Sequence, residues 1–286
     1  MSKALVLGGG GPVGIAWETG LIAGLTEGGV DVGRADWILG TSAGSVVGSQ
    51  LALGRTPASM LQSELAQAEA AKEAQAARSG PVPNLMPLMS IMARRTPGEP
   101  MSTELMKELG VLALGAETVS EDVFLSGFGA LNDEQPWPEK YACTTVDALT
   151  GEFLVWSKDT AAPLGRGIAS SCSVPGIFPP ITIDGRRYID GGMRSGTNAD
   201  MAKDHGKVLI IAVMPPAFAA MMQPGIDREM DVIHAHGGEV ALIVPDAACG
   251  EAFGANLMDS SNREAIARAG FAQGLAEAER VGAFWG

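Results

Sequence analysis

The sequence predicts an α/β fold in which a mostly parallel sheet is covered by helices on both faces. Residues 3–7 (KALVL) form an apolar, strand-like run, and after a glycine-rich turn residues 15–25 place apolar side chains at helical spacing. A second unit repeats this order, with a strand at 36–39, the turn GTSAG and a helix at 45–53. Alternation of strands and helices is typical of parallel sheets, because parallel neighbours need a crossover connection that is usually helical.

The second half of the chain supplies the remaining strands. Asp184 and Gly185 stand between two alternating runs in ITIDGRRYID and predict a β-hairpin, because both central positions of a type I′ turn require positive φ. Asp190 therefore falls at the end of a strand. Further strands are predicted at 141–146, 152–156, 208–213 and 240–244, and a closing helix at 263–279.

Residues 57–137 are predicted to form a helical insert, which would serve as a lid or as an acyl pocket. The composition shifts there to Ala, Gln, Glu and Met, and prolines interrupt the helical pattern. Met86, Met89 and Met92 stand three apart, an apolar stripe that would either line a pocket for an acyl chain or pack between helices. Helices are predicted near 58–78, 84–95 and 102–114.

Length and composition indicate one folded domain over residues 1–286. A chain of 286 residues is long for a single domain but usual for an α/β fold. With 46% hydrophobic and 19% charged residues, it can bury a large core and is too apolar for intrinsic disorder. The net charge of −13 argues against nucleic-acid binding and against broad adsorption to anionic membranes. The sequence does not indicate an oligomeric state.

The cysteines and the N-terminus favour a cytoplasmic location. Cys143, Cys172 and Cys249 are widely spaced and form neither a CxxC motif nor a metal-ligand pattern. The first residues, MSKALVLGGGG, contain an apolar run that is too short for a signal peptide. No apolar run in the sequence approaches the ~20 residues of a membrane span. We therefore expect no disulfide framework, no metal and no membrane anchor.

The stretch GTSAG places Ser42 between Gly40 and Gly44, after a strand and before a helix. This fits the nucleophile-elbow pattern GxSxG, in which a strained turn exposes a serine hydroxyl and only small neighbours fit. The amides at the start of the helix would face negative charge that develops there. The alternative is a plain turn in which Ser42 caps the helix.

The stretch GGGGPVG, residues 8–14, offers backbone amides without obstructing side chains. Such amides can bind the oxyanion of an acyl-transfer intermediate. The same letters also satisfy GxGxxG through Gly9, Gly11 and Gly14, so a nucleotide-binding oxidoreductase is an alternative, with Asp31 or Asp36 near the offset of a ribose-binding acid. The motif by itself leaves both functions open.

The stretch IDGG supplies Asp190, a carboxylate at a strand end that could act as a general base or simply begin a turn. Histidine is the commoner base, and the order Ser42, Asp190, His205 would suit the triad of an α/β-hydrolase. His205 lies in AKDHGK, however, and HAHGG, with His234 and His236, reads as a helix end. A capping or solvent-facing role is expected for all three histidines.

Together, GGGGPVG, GTSAG and YIDGG after PGIFPP closely resemble the patatin-like phospholipase family, across both halves of the chain. The resemblance implies a three-layer α/β/α sandwich and a lipid acyl hydrolase that uses a Ser-Asp dyad and no cofactor. It implies Ser42 as the nucleophile, Asp190 as the base and the amides of Gly9, Gly10 and Gly11 as the oxyanion hole. The motif glycines that it assigns are Gly14, Gly40, Gly44, Gly191 and Gly192.

One position departs from the family pattern. Where the family commonly has Arg or Lys before the last glycine of the loop, this chain has Val13, preceded by Pro12. The loop amides remain, but a phosphate head group loses a cation. The expected partner is therefore a lipid or other acyl ester, met through transient contact with a membrane surface, and the preference for phospholipid is weakened.

Overall fold

A computed structural model describes residues 1–68 and 84–286. Its strands are β1 Lys3–Leu7, β2 Trp37–Gly40, β3 Tyr141–Asp147, β4 Phe153–Ser157, β5 Ile181–Ile183, β6 Arg186–Asp190, β7 Lys207–Ile211 and β8 Glu239–Ile243. Its helices are α1 Gly11–Glu27, α2 Ala43–Ala52, α3 Pro57–Ala66, α4 Met86–Met92, α5 Thr103–Gly115, α6 Glu121–Ser126, α7 Leu164–Ser171, α8 Ala219–Ala235, α9 Ala247–Phe253 and α10 Arg263–Trp285.

Five strands form the parallel part of the sheet, in the order β8, β7, β1, β2, β3. β1 lies at its centre, where Leu7 is paired with Gly40 of β2 and with Ile211 of β7. The carboxyl ends of these strands therefore lie at one edge of the sheet. In open α/β sheets that edge is where sites form.

The two faces of β1 belong to two separate cores. Leu5 and Leu7 pack in the core formed with α1 and α10, whereas Ala4 and Val6 pack in the core that includes Ile226 of α8. Side chains of a strand alternate between faces, so helices cover both sides of the sheet. The fold is a three-layer α/β/α sandwich with a mixed but mostly parallel sheet, as the sequence predicts.

The strand β3 brings the two halves of the chain together. Its residues 142–146 pair with β4 along one edge, so β2, which pairs with 141–143, and β6, which pairs with 145–147, must share the other edge. Each backbone has only two hydrogen-bonding edges. β2 runs parallel to β3 and β6 runs antiparallel, so the carboxyl ends of β2 and β6 meet at Thr144.

Most elements agree with the sequence prediction, including the hairpin, where φ is 49° at Asp184 and 73° at Gly185. The part of the predicted helix 58–78 beyond residue 68 lies outside the described residues. The described part of the predicted insert contains helices α3 to α6. Met86 and Met89 are exposed rather than lining a pocket, while Leu88 faces the core. Three helices were not predicted, namely α6, α7 and α9, and of α8 only the end at HAHGG was predicted.

Two further properties concern the cysteines and the helices. Cys143, Cys172 and Cys249 all lie in the described residues, and each is a free thiol. Within residues 1–68 and 84–286, no helix combines the length and the apolar composition that crossing a bilayer requires.

Candidate active site

Ser42 occupies a strained turn between β2 and α2. Its backbone has φ 52° and ψ −116°, a conformation that residues with a side chain rarely adopt and that costs of order 1–3 kcal/mol. A Cβ atom at Gly40 would lie 2.4 Å from Ser45 Cα, and one at Gly44 would lie 2.2 Å from the Leu7 carbonyl oxygen. Only glycine fits at either position, which explains the GxSxG pattern and fixes the turn of a nucleophile elbow.

Asp190 reaches the same place from the second half of the chain. β2 ends at Gly40 opposite Cys143, and β6 ends at Asp190 opposite Thr145, on the shared edge of β3. Ser42 follows Gly40 by two residues, so the two side chains converge where the strands meet. The Ser42 side chain is close enough to this carboxylate to lower its pKa.

The surroundings of Asp190 are unusual for a carboxylate. The side chain is buried, with a relative exposure of 1%, and its Oδ1 accepts a hydrogen bond from the Gly192 amide at 2.7 Å. Burial raises the pKa of Asp190 to about 7, although the hydrogen bonds from Gly192 and Ser42 oppose that shift. A carboxylate with a pKa near neutrality is suited to take up and return a proton at physiological pH.

The glycine-rich turn before α1 lies directly against Ser42. A Cβ atom at Gly9 would stand 3.2 Å from Ser42 Cβ. The Gly9 amide, however, donates to the Gly196 carbonyl at 2.8 Å, so the expectation of three free oxyanion donors needs correction. Among the described residues, no acceptor is recorded for the amides of Gly10 and Gly11.

Ala43, which follows Ser42, is a further candidate donor that the sequence analysis did not name. Its amide also has no acceptor recorded within residues 1–68 and 84–286, and the residue lines the cavity beside Ser42. In nucleophile elbows, the residue after the serine commonly supplies an oxyanion amide. The pattern GxSxG is the signal that could have identified it.

The segment SSCS, residues 170–173, holds the elbow from the side. Ser171 Oγ accepts the Ser42 amide at 3.0 Å, and the Cys172 thiol donates to the Ser42 carbonyl at 3.3 Å. Burial raises the pKa of the Cys172 thiol, so this cysteine stays protonated beside Asp190. The segment thus fixes the backbone of Ser42 rather than supplying a competing nucleophile.

An apolar cavity of about 290 Å³ opens beside Ser42. Its wall includes Ser42, the candidate nucleophile, together with Gly11 and Ala43. None of the residues around it carries a charge. The rest of the wall consists of Pro12, Ile15, Val46, Phe124, Gly127, Phe128, Cys172, Val174, Phe178 and Met258. Such a surface suits a hydrocarbon chain rather than a polar group.

The histidines lie away from this site. His205 stacks on Trp37 with ring centroids 5.3 Å apart, and Trp37 begins β2 whereas Ser42 follows its end. A strand advances by about 3.3 Å per residue, so the two ends are separated by roughly 10 Å or more. His234 and His236 sit at the end of α8, as the sequence predicts. The triad with His205 is therefore not assembled.

The acids that a dinucleotide site would use are also misplaced. Asp36 accepts a hydrogen bond from the Lys3 amide at 2.7 Å, at the start of β1 and β2. The glycine turn follows the other end of β1, so neither Asp36 nor the nearby Asp31 faces it. In the described ranges, no group of three or more His, Cys, Asp or Glu residues has an arrangement that could hold a metal ion.

The fold and the turn define an α/β protein with a serine in a strained strand-to-helix turn. A family model described as patatin-like phospholipase matches residues 5–203. The chain belongs to that family.

The solved structures that are similar to this chain include two proteins, VipD and ExoU. VipD from Legionella pneumophila is 15% identical, with a TM-score of 0.47, and the match covers 98% of this chain and 67% of the other. The type III effector protein ExoU is also 15% identical, with a TM-score of 0.40 and coverage of 97% and 53%. The chain therefore spans about half the length of the ExoU chain.

Proposed function

We propose that this protein is a serine acyl-ester hydrolase in which Ser42 is the nucleophile and Asp190 the general base. The observation that carries the proposal is the meeting of β2 and β6 on one edge of β3, which puts a strained serine beside a buried carboxylate. The raised pKa of Asp190, at about 7, gives the carboxylate the basicity that the reaction requires. Membership of the patatin-like phospholipase family supports lipid acyl hydrolysis.

In the first half-reaction, the Ser42 Oγ forms a bond to the ester carbonyl carbon while its proton passes to Asp190. The carbonyl oxygen becomes an oxyanion, which the amides of Gly10, Gly11 and Ala43 stabilise; one such donor is worth about 3–4 kcal/mol. When the tetrahedral intermediate collapses, the ester C–O bond breaks and the alcohol leaves with the proton from Asp190. An acyl-enzyme remains.

In the second half-reaction, water loses a proton to Asp190 and attacks the acyl carbon. Collapse of this intermediate breaks the bond to Ser42 Oγ, which takes the proton back, and the fatty acid is released. The same carboxylate thus serves both steps, and the serine and aspartate return to their starting states.

The acyl chain is proposed to lie in the apolar cavity. The cavity adjoins Ser42, carries no charged side chain in its wall, and includes Phe124 and Phe128 from the 57–137 insert. Val13 is wholly buried, so the position where a cation would meet a phosphate packs in the core instead. The proposed substrate is an ester of an apolar acid, met by transient contact with a lipid surface.

The proposal is tested by covalent labelling with a fluorophosphonate probe and by hydrolysis of nitrophenyl esters and phospholipids. We expect labelling and hydrolysis in the wild type and in Ser49→Ala, a matched control on α2, and neither in Ser42→Ala. Equal labelling of the wild type and Ser42→Ala would refute the assignment of the nucleophile. The ratio of nitrophenyl ester to phospholipid hydrolysis assigns the alcohol side of the substrate.

A further inference from the structure

Residues 194–200, which follow the Asp190 strand and are called here the 194–200 loop, contact three segments that adjoin the proposed site. The Gly196 carbonyl accepts the Gly9 amide at 2.8 Å. The Asn198 side-chain amide donates to the Gly191 carbonyl and to Thr41 Oγ1, both at 3.2 Å. Gly9 belongs to the glycine turn, Thr41 precedes Ser42, and Gly191 follows Asp190. The loop therefore ties together three segments that are distant in sequence.

The carboxylate of Glu229 on α8 accepts three hydrogen bonds from this loop. Glu229 Oε1 accepts a hydrogen bond from Ser195 Oγ at 2.5 Å, and Oε2 accepts from Thr197 Oγ1 and from the Ala199 amide at 2.9 Å. The side chain is buried, with a relative exposure of 3%. Three donors from five consecutive residues converge on two oxygens, so the carboxylate fixes the path of the loop on both sides of Gly196.

The burial of Glu229 is costly unless these bonds form. Burial raises the pKa of Glu229, while the hydrogen bonds from Ser195, Thr197 and Ala199 lower it. Arg95 and Arg194 are also near enough to interact with this carboxylate. If the acceptor is removed, two buried hydroxyl groups and an amide lose their partner. Because unsatisfied buried donors are costly, we expect the loop to shift.

We propose, resting on the function proposed above, that Glu229 is a positioning residue that sets the oxyanion hole through the 194–200 loop. The Gly9 amide is anchored on Gly196, and the next two amides, of Gly10 and Gly11, are the proposed oxyanion donors. The direction in which the Gly10 and Gly11 N–H groups point therefore depends on the position of Gly196. A displacement of about 1 Å in such a site can cost on the order of 100-fold in rate.

The test compares Glu229→Ala and Glu229→Gln with the wild type, using nitrophenyl butyrate as the substrate. Because the oxyanion exists only after attack, we expect kcat to fall about 100-fold in Glu229→Ala with KM within about twofold. Glu229→Gln, which keeps one acceptor oxygen, should recover part of this loss. Affinity for a trifluoromethyl ketone, which forms an oxyanion on Ser42, should fall in parallel with kcat.

Asp231→Asn is the matched control, because it removes an exposed carboxylate from the same helix and should leave kcat unchanged. If Glu229→Ala does not fold, Glu229→Gln and Thr197→Val, which removes one donor to Glu229, decide the question. A kcat within about twofold of the wild type in the folded variants, or a loss that resides in KM alone, would overturn the proposal. Ser42→Ala separates the two proposals, since activity in that variant refutes the function itself.

Discussion

Asp147 and Asp190 are two buried aspartates on adjoining antiparallel strands, and they differ in their partners. Each has a relative exposure of 1%. Asp147 Oδ1 accepts the amides of Leu149 and Thr150, and Arg186 Nε lies 2.8 Å from its Oδ2. Asp190 has one amide and the Ser42 side chain, and no cation pairs with it among the described residues.

The difference distinguishes a carboxylate with a structural role, Asp147, from the proposed general base, Asp190. The Asp147 carboxylate has two amides at one oxygen and faces a cation with the other, so its buried charge has partners. A carboxylate buried with few donors has a raised pKa and can exchange a proton near pH 7. Equal burial therefore predicts nothing about function until the partners of each oxygen are counted.

The largest expected effect is the loss of hydrolysis in Asp190→Asn. The amide cannot accept the Ser42 proton, so kcat/KM should fall by about 100- to 10,000-fold, the usual contribution of a general base. Asp147→Asn should retain activity within a few-fold. Ester hydrolysis by both purified variants checks this, and the distinction between the two aspartates fails if they lose activity equally.

The next effect concerns stability. Because the folded-state pKa of Asp190 lies above its unfolded value, ionisation of Asp190 destabilises the fold, and stability present at low pH is lost as the pH rises towards and through about 7. Asp190→Asn removes this loss, so its free energy of unfolding should exceed that of the wild type by up to about 4 kcal/mol at pH 8.

Urea unfolding of the wild type and Asp190→Asn at pH 5 and pH 8 measures this gain. Other buried acids titrate in both proteins, so the difference between the two isolates Asp190. A gain that is larger at pH 5 than at pH 8 would mean that the Asp190 carboxylate is stabilised in its charged form.

Asp147→Asn should show the opposite behaviour. The substitution weakens the charge-assisted hydrogen bonds from the Leu149 and Thr150 amides, each worth about 1.5–3 kcal/mol in proteins. It also removes the ion pair with the half-exposed Arg186, which contributes at most about 1 kcal/mol. We expect the melting temperature to fall while activity is retained. A variant as stable as the wild type would show that Asp147 is not the structural carboxylate described here.

The smallest expected effect is on the pKa of Asp190 in Ser42→Ala. The Ser42 hydroxyl lowers this pKa, so its removal should raise the pKa by less than about one unit. Infrared difference spectroscopy of the carboxyl stretch, with Asp190→Asn to assign the band, measures the change. A fall in the pKa would place Ser42 outside hydrogen-bonding contact with Asp190.

The strand-to-helix turns of the site could be predicted from the sequence because their chemistry is local. Gly40 and Gly44 stand where any side chain would collide with Ser45 or Leu7, and that requirement leaves a short recognisable pattern. The position of Asp190 at a strand end followed from the hairpin at Asp184 and Gly185. Family resemblance then linked the two motifs, whose contact depends on the pairing of β3.

The features that the sequence did not reveal depend on distant contacts. The bond between the Gly9 amide and Gly196 joins opposite ends of the family match, and nothing in GGGGPVG indicates which amide is occupied. HAHGG indicates the end of α8, which carries Glu229, but the helix contains Pro224, and proline within a helix argues against predicting its full length. The apolar cavity draws on residues from five separate segments, and hydrophobic spacing does not specify a shared cavity.

The central claim, that Asp190 activates Ser42, is tested most directly by the pH dependence of fluorophosphonate labelling. The reactive form has Asp190 deprotonated, so the labelling rate of the wild type should rise with pH and level off above an apparent pKa of about 7. This rise of the labelling rate with pH should be absent in Asp190→Asn and unchanged in His205→Ala. A labelling rate that does not vary with pH in the wild type, or the same rise with pH in Asp190→Asn, would contradict the account.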